Sequence, residues 1–262
     1  MAIVRVQGVS KKYQVGRLTS NLKDVAVGWL SGRHASRWVW ALQDVNVCIK
    51  PGEAVGIVGH NGAGKSTLLR LLARVSKPTA GRIETNGRMA ALLDLGAGFH
   101  PDLTGRENIF LNGTLLGLTR AQVARRFDEI VAFSEVESFI DTPVKHFSSG
   151  MTLRLSFAIA AHLNCDILLI DEVLAVGDAS FSDKCLRRMR YLRDQGMTIV
   201  LTSHNLRTVE SFCSRALMFR AGRMVADGLP EEVVKLCASE KLPSRAFDAG
   251  RTWRAQDVGA AD

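Results

Sequence analysis

The chain lacks any apolar run near the roughly 18–20 residues that a membrane-spanning helix requires, so no such helix is expected within its 262 residues. No basic start precedes a long apolar core. Met1-Ala2-Ile3-Val4-Arg5-Val6 patterns as a strand instead, which argues against a signal peptide. The five cysteines, Cys48, Cys165, Cys185, Cys213 and Cys237, are odd in number, scattered and free of any C-x-x-C pair. That excludes a disulfide framework or a zinc knuckle and predicts reduced thiols in a cytoplasmic protein. There is no internal repeat, no low-complexity tract and no heptad run. Nor is there a basic strand interleaved with aromatics, so no nucleic-acid partner is expected.

What is present is apolar and basic. An apolar fraction of 47% supports one large packed domain, or a domain with an inserted lobe. The formal net charge of +8 fits anionic ligands, an anionic membrane surface or a plain solvated surface. Arginine is denser at Arg187, Arg188, Arg190 and Arg193.

The most informative stretch is Gly59-His60-Asn61-Gly62-Ala63-Gly64-Lys65-Ser66-Thr67, a G-x-x-x-x-G-K-[ST] loop. Ala54–Val58 before it reads as a buried strand, and Leu68–Ala73 after it as an apolar helix. Glycines allow the tight backbone whose N–H groups face phosphates, and the helix N-terminus faces the same anion. In that setting Lys65 reaches the β and γ phosphates of ATP, and Ser66 holds Mg²⁺. A second apolar run, Ile167–Ile170, ends in Asp171-Glu172. A carboxylate at a strand tip suits the second Mg²⁺ contact, which makes Asp171 the candidate. Glu172 is placed to polarise an attacking water as general base.

Strands are expected at 2–7, 45–50, near 82–94, and at 166–171, 197–203 and 214–219. Helices are expected at 105–117, 119–134 and 149–163, with Thr119 and Ser149 near their starts. Between the first two strands lies an irregular stretch, about 16–40. In it Leu22, Val25, Trp29 and Leu30 fall on one face of a short helix. Trp38 and Trp40 follow beside Arg33, His34 and Arg37, a mixture suited equally to a membrane interface and to an ordinary surface. Alternating strands and helices around the loop predict a doubly wound α/β core, interrupted by a helix-rich block at about 96–164. The expected division is a domain over 1–240 and a short, loose tail over 241–262.

Further motifs follow in order. Phe147-Ser148-Ser149-Gly150-Met151 stands ahead of a helix and resembles the L-S-G-G-Q signature of ABC ATPases. Val173-Leu174-Ala175-Val176-Gly177-Asp178 looks like the D-loop, with Asp178 as its aspartate. Thr202-Ser203-His204 looks like the switch-histidine segment, and Phe99-His100-Pro101 through Glu107-Asn108 like the loop that meets a membrane subunit. The resemblance covers about residues 2–237. It implies the fold of that family: a P-loop NTPase nucleotide-binding domain with a RecA-like core, an antiparallel β subdomain and an inserted α-helical subdomain. It also implies a head-to-tail homodimer around two ATP molecules. Ser148, Ser149, Gly150 and Met151 of one copy would face the γ-phosphate on the other, and His204 would sense it. The catalytic set is then Glu172, His204 and Lys65, with Tyr13 stacking on adenine and Trp40 as its competitor.

Some positions depart from the general pattern. Ser149 stands for glycine and Met151 for glutamine in the signature. Leu95 occupies the place of the usual loop glutamine, and the adjacent Asp94 is the candidate to take over its Mg²⁺ contact. The segments Ala91–Phe99, Leu103–Ile109, Ser148–Met151 with Arg154-Leu155, and Asp171–Asp178 resemble the ATP-binding subunits of polysaccharide exporters. This implies a separate membrane permease, a lipid-linked glycan (O-antigen, capsule, galactan or teichoic acid) as cargo, and a place at the cytoplasmic face of the inner membrane. The stretch at 16–40 would lie near that membrane. With the chain ending at 262, no carbohydrate-binding domain is expected, which favours the capsule, galactan or teichoic-acid style of export. The alternatives are another ABC exporter (of drugs or small lipids), a soluble ABC ATPase acting on ribosomes or DNA, and a non-hydrolysing nucleotide-binding module.

Overall fold

The computed structural model describes residues 2–15, 37–93, 98–171 and 178–239. Two sheets and seven α-helices are present among them. The first sheet is antiparallel, in the order β2-β1-β4, from β1 (Val4–Val15), β2 (Arg37–Ile49) and β4 (Ala80–Thr85). The second has six strands in the order β5-β6-β7-β3-β8-β9. These are β3 (Ala54–Val58), β5 (Met89–Leu92), β6 (Ile167–Asp171), β7 (Thr198–Thr202), β8 (Arg215–Arg220) and β9 (Arg223–Gly228). Its pairings are parallel except β8 with β9.

The helices are α1 (Lys65–Leu72), α2 (Gly105–Leu115), α3 (Arg120–Ser134), α4 (Ser149–Ala161), α5 (Ala179–Asp194), α6 (Leu206–Phe212) and α7 (Pro230–Ser239). The expected α/β class, with separate antiparallel and parallel sheets and a helical block, is what the chain adopts.

The parallel sheet is buried on both faces, which explains its unbroken apolar strands. Alternation still assigns each residue a side. Val55, Ile57, Ile167, Leu169, Val200 and Leu217 pack with α1 and the antiparallel sheet. Ala54, Val58, Leu168, Ile170, Ile199 and Leu201 pack with α4 to α6 and the helical block. Gly56 lies on this second side, where a Cβ would come within 2.6 Å of Val209 Cγ1.

Several expectations change. The stretch expected as one strand near 82–94 is two strands in different sheets, with Asn86-Gly87-Arg88 between them. Gly87 has φ +111°, and the Asp166 carboxylate accepts from the Arg88 amide at 2.6 Å, so the chain turns there from one sheet to the other. The first two strands are far longer than expected, and β2 begins at Arg37. Trp38 and Trp40 therefore sit in a strand, not in an irregular insertion. The expected helix face at Leu22–Leu30 lies outside the described residues. Thr119 caps α3 as expected, but α4 is capped by Ser148, not Ser149.

The packing can be tested in two ways. Phe157 is fully buried and stacks on Phe133 with ring centres 6.2 Å apart. Phe157→Ala is expected to cost about 3–5 kcal/mol in denaturant unfolding, and a loss under ~1 kcal/mol would contradict this packing. Burial pushes the Cys185 and Cys213 thiols up to about 12, whereas Cys48 is exposed. Only thiolates alkylate. Brief iodoacetamide treatment of the folded protein at mildly alkaline pH is thus expected to label Cys48 and spare Cys185 and Cys213, and equal labelling would show that the fold is more open.

Candidate functional site

The C-terminal ends of β3, β6 and β7 lie side by side, because Ile57 pairs with Thr202 and Thr202 with Asp171. The strand ends themselves therefore meet at one edge of the sheet, the usual place for a ligand in an open α/β sheet. The glycine-rich loop leaves β3, Asp171 closes β6, and His204 follows β7 by two residues, exposed to solvent.

The loop's form depends on two glycines. Gly59 has φ +139°, and a Cβ there would collide with the Phe219 carbonyl oxygen. Gly64 has φ +109°, and its Cβ would lie 2.6 Å from the Ala41 carbonyl oxygen. Gly64 is the N-cap of α1, so no side chain caps the helix, and its first turn carries no acid. The positive end of α1 therefore faces the loop without a neutralising carboxylate. A cavity of about 240 Å³ lies there, lined by Asn61, Gly62, Gly64, Lys65, Ser66 and Thr67. Lys65 is 4% exposed, and its Nζ donates to the carbonyls of Gly59 at 2.8 Å and His60 at 3.1 Å. His60 itself is exposed, and Ala63 is buried and donates its amide to the His60 carbonyl at 3.1 Å.

Asp171 Oδ1 accepts from Ser66 Oγ at 3.2 Å and from Thr202 Oγ1 at 2.6 Å. A hydroxyl and a carboxylate in contact are hard oxygen donors of the kind Mg²⁺ takes, one or two from protein and the rest from water and phosphate. Among the described residues no group of three His, Cys, Asp or Glu could hold a metal by itself. The donor set thus fits Mg²⁺ arriving with a polyphosphate. Asp94, Leu95 and Glu172 lie outside the described residues.

Ser148 Oγ accepts from the Met151 amide at 3.2 Å and caps α4. Ser148 and Ser149 are exposed or partly so, as are Gly150 and Met151. Asp178 caps α5 by accepting from the Phe181 amide at 2.9 Å. The bond from Phe181, and then the charge of Arg154, hold its carboxyl below the usual range.

Tyr13 and Trp40 are both exposed, on paired strands. Lys12 lies opposite Trp40, and Tyr13 opposite Val39, so the two rings occupy opposite faces of the sheet. Lys12 Nζ is 5.7 Å from the centre of Trp40, and Lys11 Nζ is 5.0 Å from that of Tyr13.

A glycine-rich loop, a helix without a side-chain cap and a hydroxyl–carboxylate pair at one sheet edge agree with what comparison finds. Residues 42–175 match the family model for ABC transporter. The chain belongs to the ABC transporter family. It is 50% identical over 87% of its length to the O-antigen export system ATP-binding protein RfbB of Myxococcus xanthus, covering 53% of that protein. To the protein of the same name from Klebsiella pneumoniae it is 44% identical, over 89% of this chain and 96% of that one. It is 40% identical to the teichoic acids export ATP-binding protein TagH of Lactococcus lactis, over 88% of this chain and 49% of the other. The chain thus spans about half the length of the first and last of these relatives. The fold matches that of an ATP-binding cassette solved as a dimer with ADP and Pi. The TM-score is 0.71 at 22% identity, covering 87% of this chain and 98% of that one. The matched region of the family model includes the loop and Asp171 but ends before Asp178 and His204.

The motifs do not single out Thr202 as a site residue. Its signal is a hydroxyl closing a buried strand, after the apolar run Ile199–Leu201, at the edge where Asp171 ends its own. Thr202→Val keeps the shape and removes the 2.6 Å bond. It is expected to cost about 1.5–3 kcal/mol, as for a hydrogen bond to an ionised group. Combined with Asp171→Ala, which removes the acceptor, the two losses should be less than additive in a denaturation cycle, and strict additivity would show that the bond is absent in solution.

Proposed function

We propose that this chain is the ATP-hydrolysing subunit of an ABC exporter that moves a lipid-linked polysaccharide across the inner membrane. The contact of Ser66 and Thr202 with Asp171 beside the Lys65 loop carries the ATPase reading. Similarity to ATP-binding proteins of O-antigen and teichoic-acid export over nearly nine-tenths of the chain supports the cargo class. No helix among the described residues is long and apolar enough to cross a membrane. In this reading the membrane path belongs to a separate permease, and the chain works from the cytoplasmic face.

The residues act as follows. The loop from Gly59 to Thr67 and the free end of α1 receive the phosphates of ATP. Lys65 exchanges the Gly59 and His60 carbonyls for phosphate oxygens, so its burial costs little in either state. Ser66 and Asp171 would hold Mg²⁺, which when bound neutralises charge on the β and γ oxygens. Asp94 is a further candidate for that ion. Glu172 takes the proton of the attacking water, and His204 contacts the γ-phosphate. Tyr13 is the adenine platform.

Turnover is assigned to two copies, arranged head to tail as the family resemblance implies, and a cassette of matching fold solved as a dimer supports the pairing. Ser148–Met151 of one copy close over the phosphate of the other. The hydroxyl of Ser148 and the first amides of α4 supply donors. Asp178 lies at the junction between copies. ATP favours the closed pair and hydrolysis the open one, and the permease follows this two-state change.

Lys65→Ala removes charge-assisted bonds worth roughly 3 kcal/mol and should weaken ATP binding on the order of 100-fold. Unchanged affinity would sink the phosphate-loop assignment. Glu172→Gln should bind ATP, accumulate as a dimer and turn over at under ~1% of wild type. A wild-type rate removes Glu172 from its role. In cells, deletion of the gene should trap one lipid-linked glycan inside and strip it from the surface, with rescue by wild type but not by Glu172→Gln. Normal surface glycan in a strain without a redundant exporter would move the assignment to drug or small-lipid export.

A further inference from the structure

One ion-pair cluster joins three helices that the catalytic scheme treats separately. Arg154, on α4, forks between two carboxylates. It donates from Nη1 to Glu135 Oε2 at 3.0 Å and from Nη2 to Asp178 Oδ2 at 2.6 Å. Lys184, on α5, donates to the other Glu135 oxygen at 2.8 Å. The Arg154 guanidinium lies 5.0 Å from the centre of the Phe181 ring, and the Lys184 ammonium 4.9 Å from that of Phe133. The Arg154 side chain is only 22% exposed, against 59% for Asp178. Glu135 is the left-handed cap at the end of α3, with φ +59°. The cation is thus fixed from the helical block on one side and by an aromatic face on another, and its remaining arm reaches Asp178.

That arm connects two parts of the proposed site. α4 is capped by Ser148, so a force on its first turn moves Arg154 as part of the same helix. Asp178 uses its second oxygen to cap α5, so its orientation is set by two bonds, one from Phe181 and one from Arg154. We propose that Arg154 is a positioning residue that couples the signature end of α4 to Asp178, so that phosphate contact at Ser148–Met151 and the setting of Asp178 change together. This rests on the ATPase reading above. Partly exposed ion pairs add little to folding, so the coupling is separable from stability.

The test uses the purified full-length chain as wild type, Arg154→Met and Arg154→Lys. Three quantities are followed: ATP turnover against ATP concentration, the thermal midpoint, and hydrogen exchange of the amides at 179–183. Arg154→Met is expected to lower kcat about tenfold, with KM within about twofold. Its amides at 179–183 should exchange faster and no longer respond to ATP. Arg154→Lys should recover part of kcat, because an ammonium satisfies one carboxylate but not both in this geometry. Unchanged kcat and exchange in Arg154→Met would overturn the proposal. So would a loss of kcat that merely follows a fall in the thermal midpoint, with no partial rescue by lysine. Failure of wild type to turn over ATP would overturn the ATPase reading instead. The tie between α4 and Asp178 is then judged by exchange without nucleotide, which Arg154→Met must still accelerate.

Discussion

The phosphate loop passes so close to two other backbones that only glycine fits at the points of contact, and both sheets are arranged around those contacts. Gly59 lies under the Phe219 carbonyl of β8 and Gly64 under the Ala41 carbonyl of β2. Between them, the Gly222 amide donates to the Ala63 carbonyl and the Gly222 carbonyl accepts from the Gln43 amide. The loop is therefore stitched to the antiparallel sheet on one side and the parallel sheet on the other. A side chain at either glycine would push the sheets apart or move the loop, and with it Lys65 and Ser66. Loop shape and sheet packing cannot be altered independently, which is why a flexible-looking sequence holds a fixed cradle.

Register completes what the loop begins. The parallel pairing of β3 with β7 and β7 with β6 brings Ile57, Thr202 and Asp171 to one level. A shift of one residue in β7 would send Thr202 to the other face. Asp171 would then lose its shortest hydrogen bond while remaining partly buried. The apolar residues on both faces of these strands oppose such a slip, because each alternate residue belongs to a different core cluster. Apolar burial along the strand thus fixes the position of a polar group at its tip.

Short-range signals make the α/β core legible in the sequence. The G-x-x-x-x-G-K-S-T run, the apolar strands ahead of it and of Asp171, and Thr119 as a cap all act within a few residues. The change of sheet at Asn86–Arg88 is not legible, because it depends on the distant Asp166, which accepts from the Arg88 amide. The start of β2 is hidden for a similar reason. Trp38 and Trp40 are exposed beyond the core, so no burial pattern marks their strand. In the site, motif order anticipates the meeting of Ser66 with Asp171. It does not anticipate the Thr202 bond or the fork of Arg154, since each joins elements separated by many residues and leaves no periodic trace. The D-loop and signature assignments come from resemblance to a family, and spacing alone does not supply them.

The helical block shows the same economy with one side chain. Asn108 is fully buried on α2, and the loop before that helix folds around it. Its amide nitrogen donates to the carbonyls of His100, Leu103 and Thr104 at 3.1, 3.0 and 3.0 Å, while its oxygen accepts from the His100 amide at 2.8 Å. The loop thus turns several carbonyls and one amide inward. Aspartate would set a charge against those carbonyls, and leucine would leave them without donors in a dry site. Asparagine alone among residues of this size supplies both kinds of group in that arrangement. The Thr104–Glu107 capping box then fixes the start of α2 from outside, with the Glu107 carboxyl held below its usual range by the Thr104 amide. The segment Phe99–Asn108, which the family resemblance assigns to contact with a membrane subunit, is therefore braced from both sides.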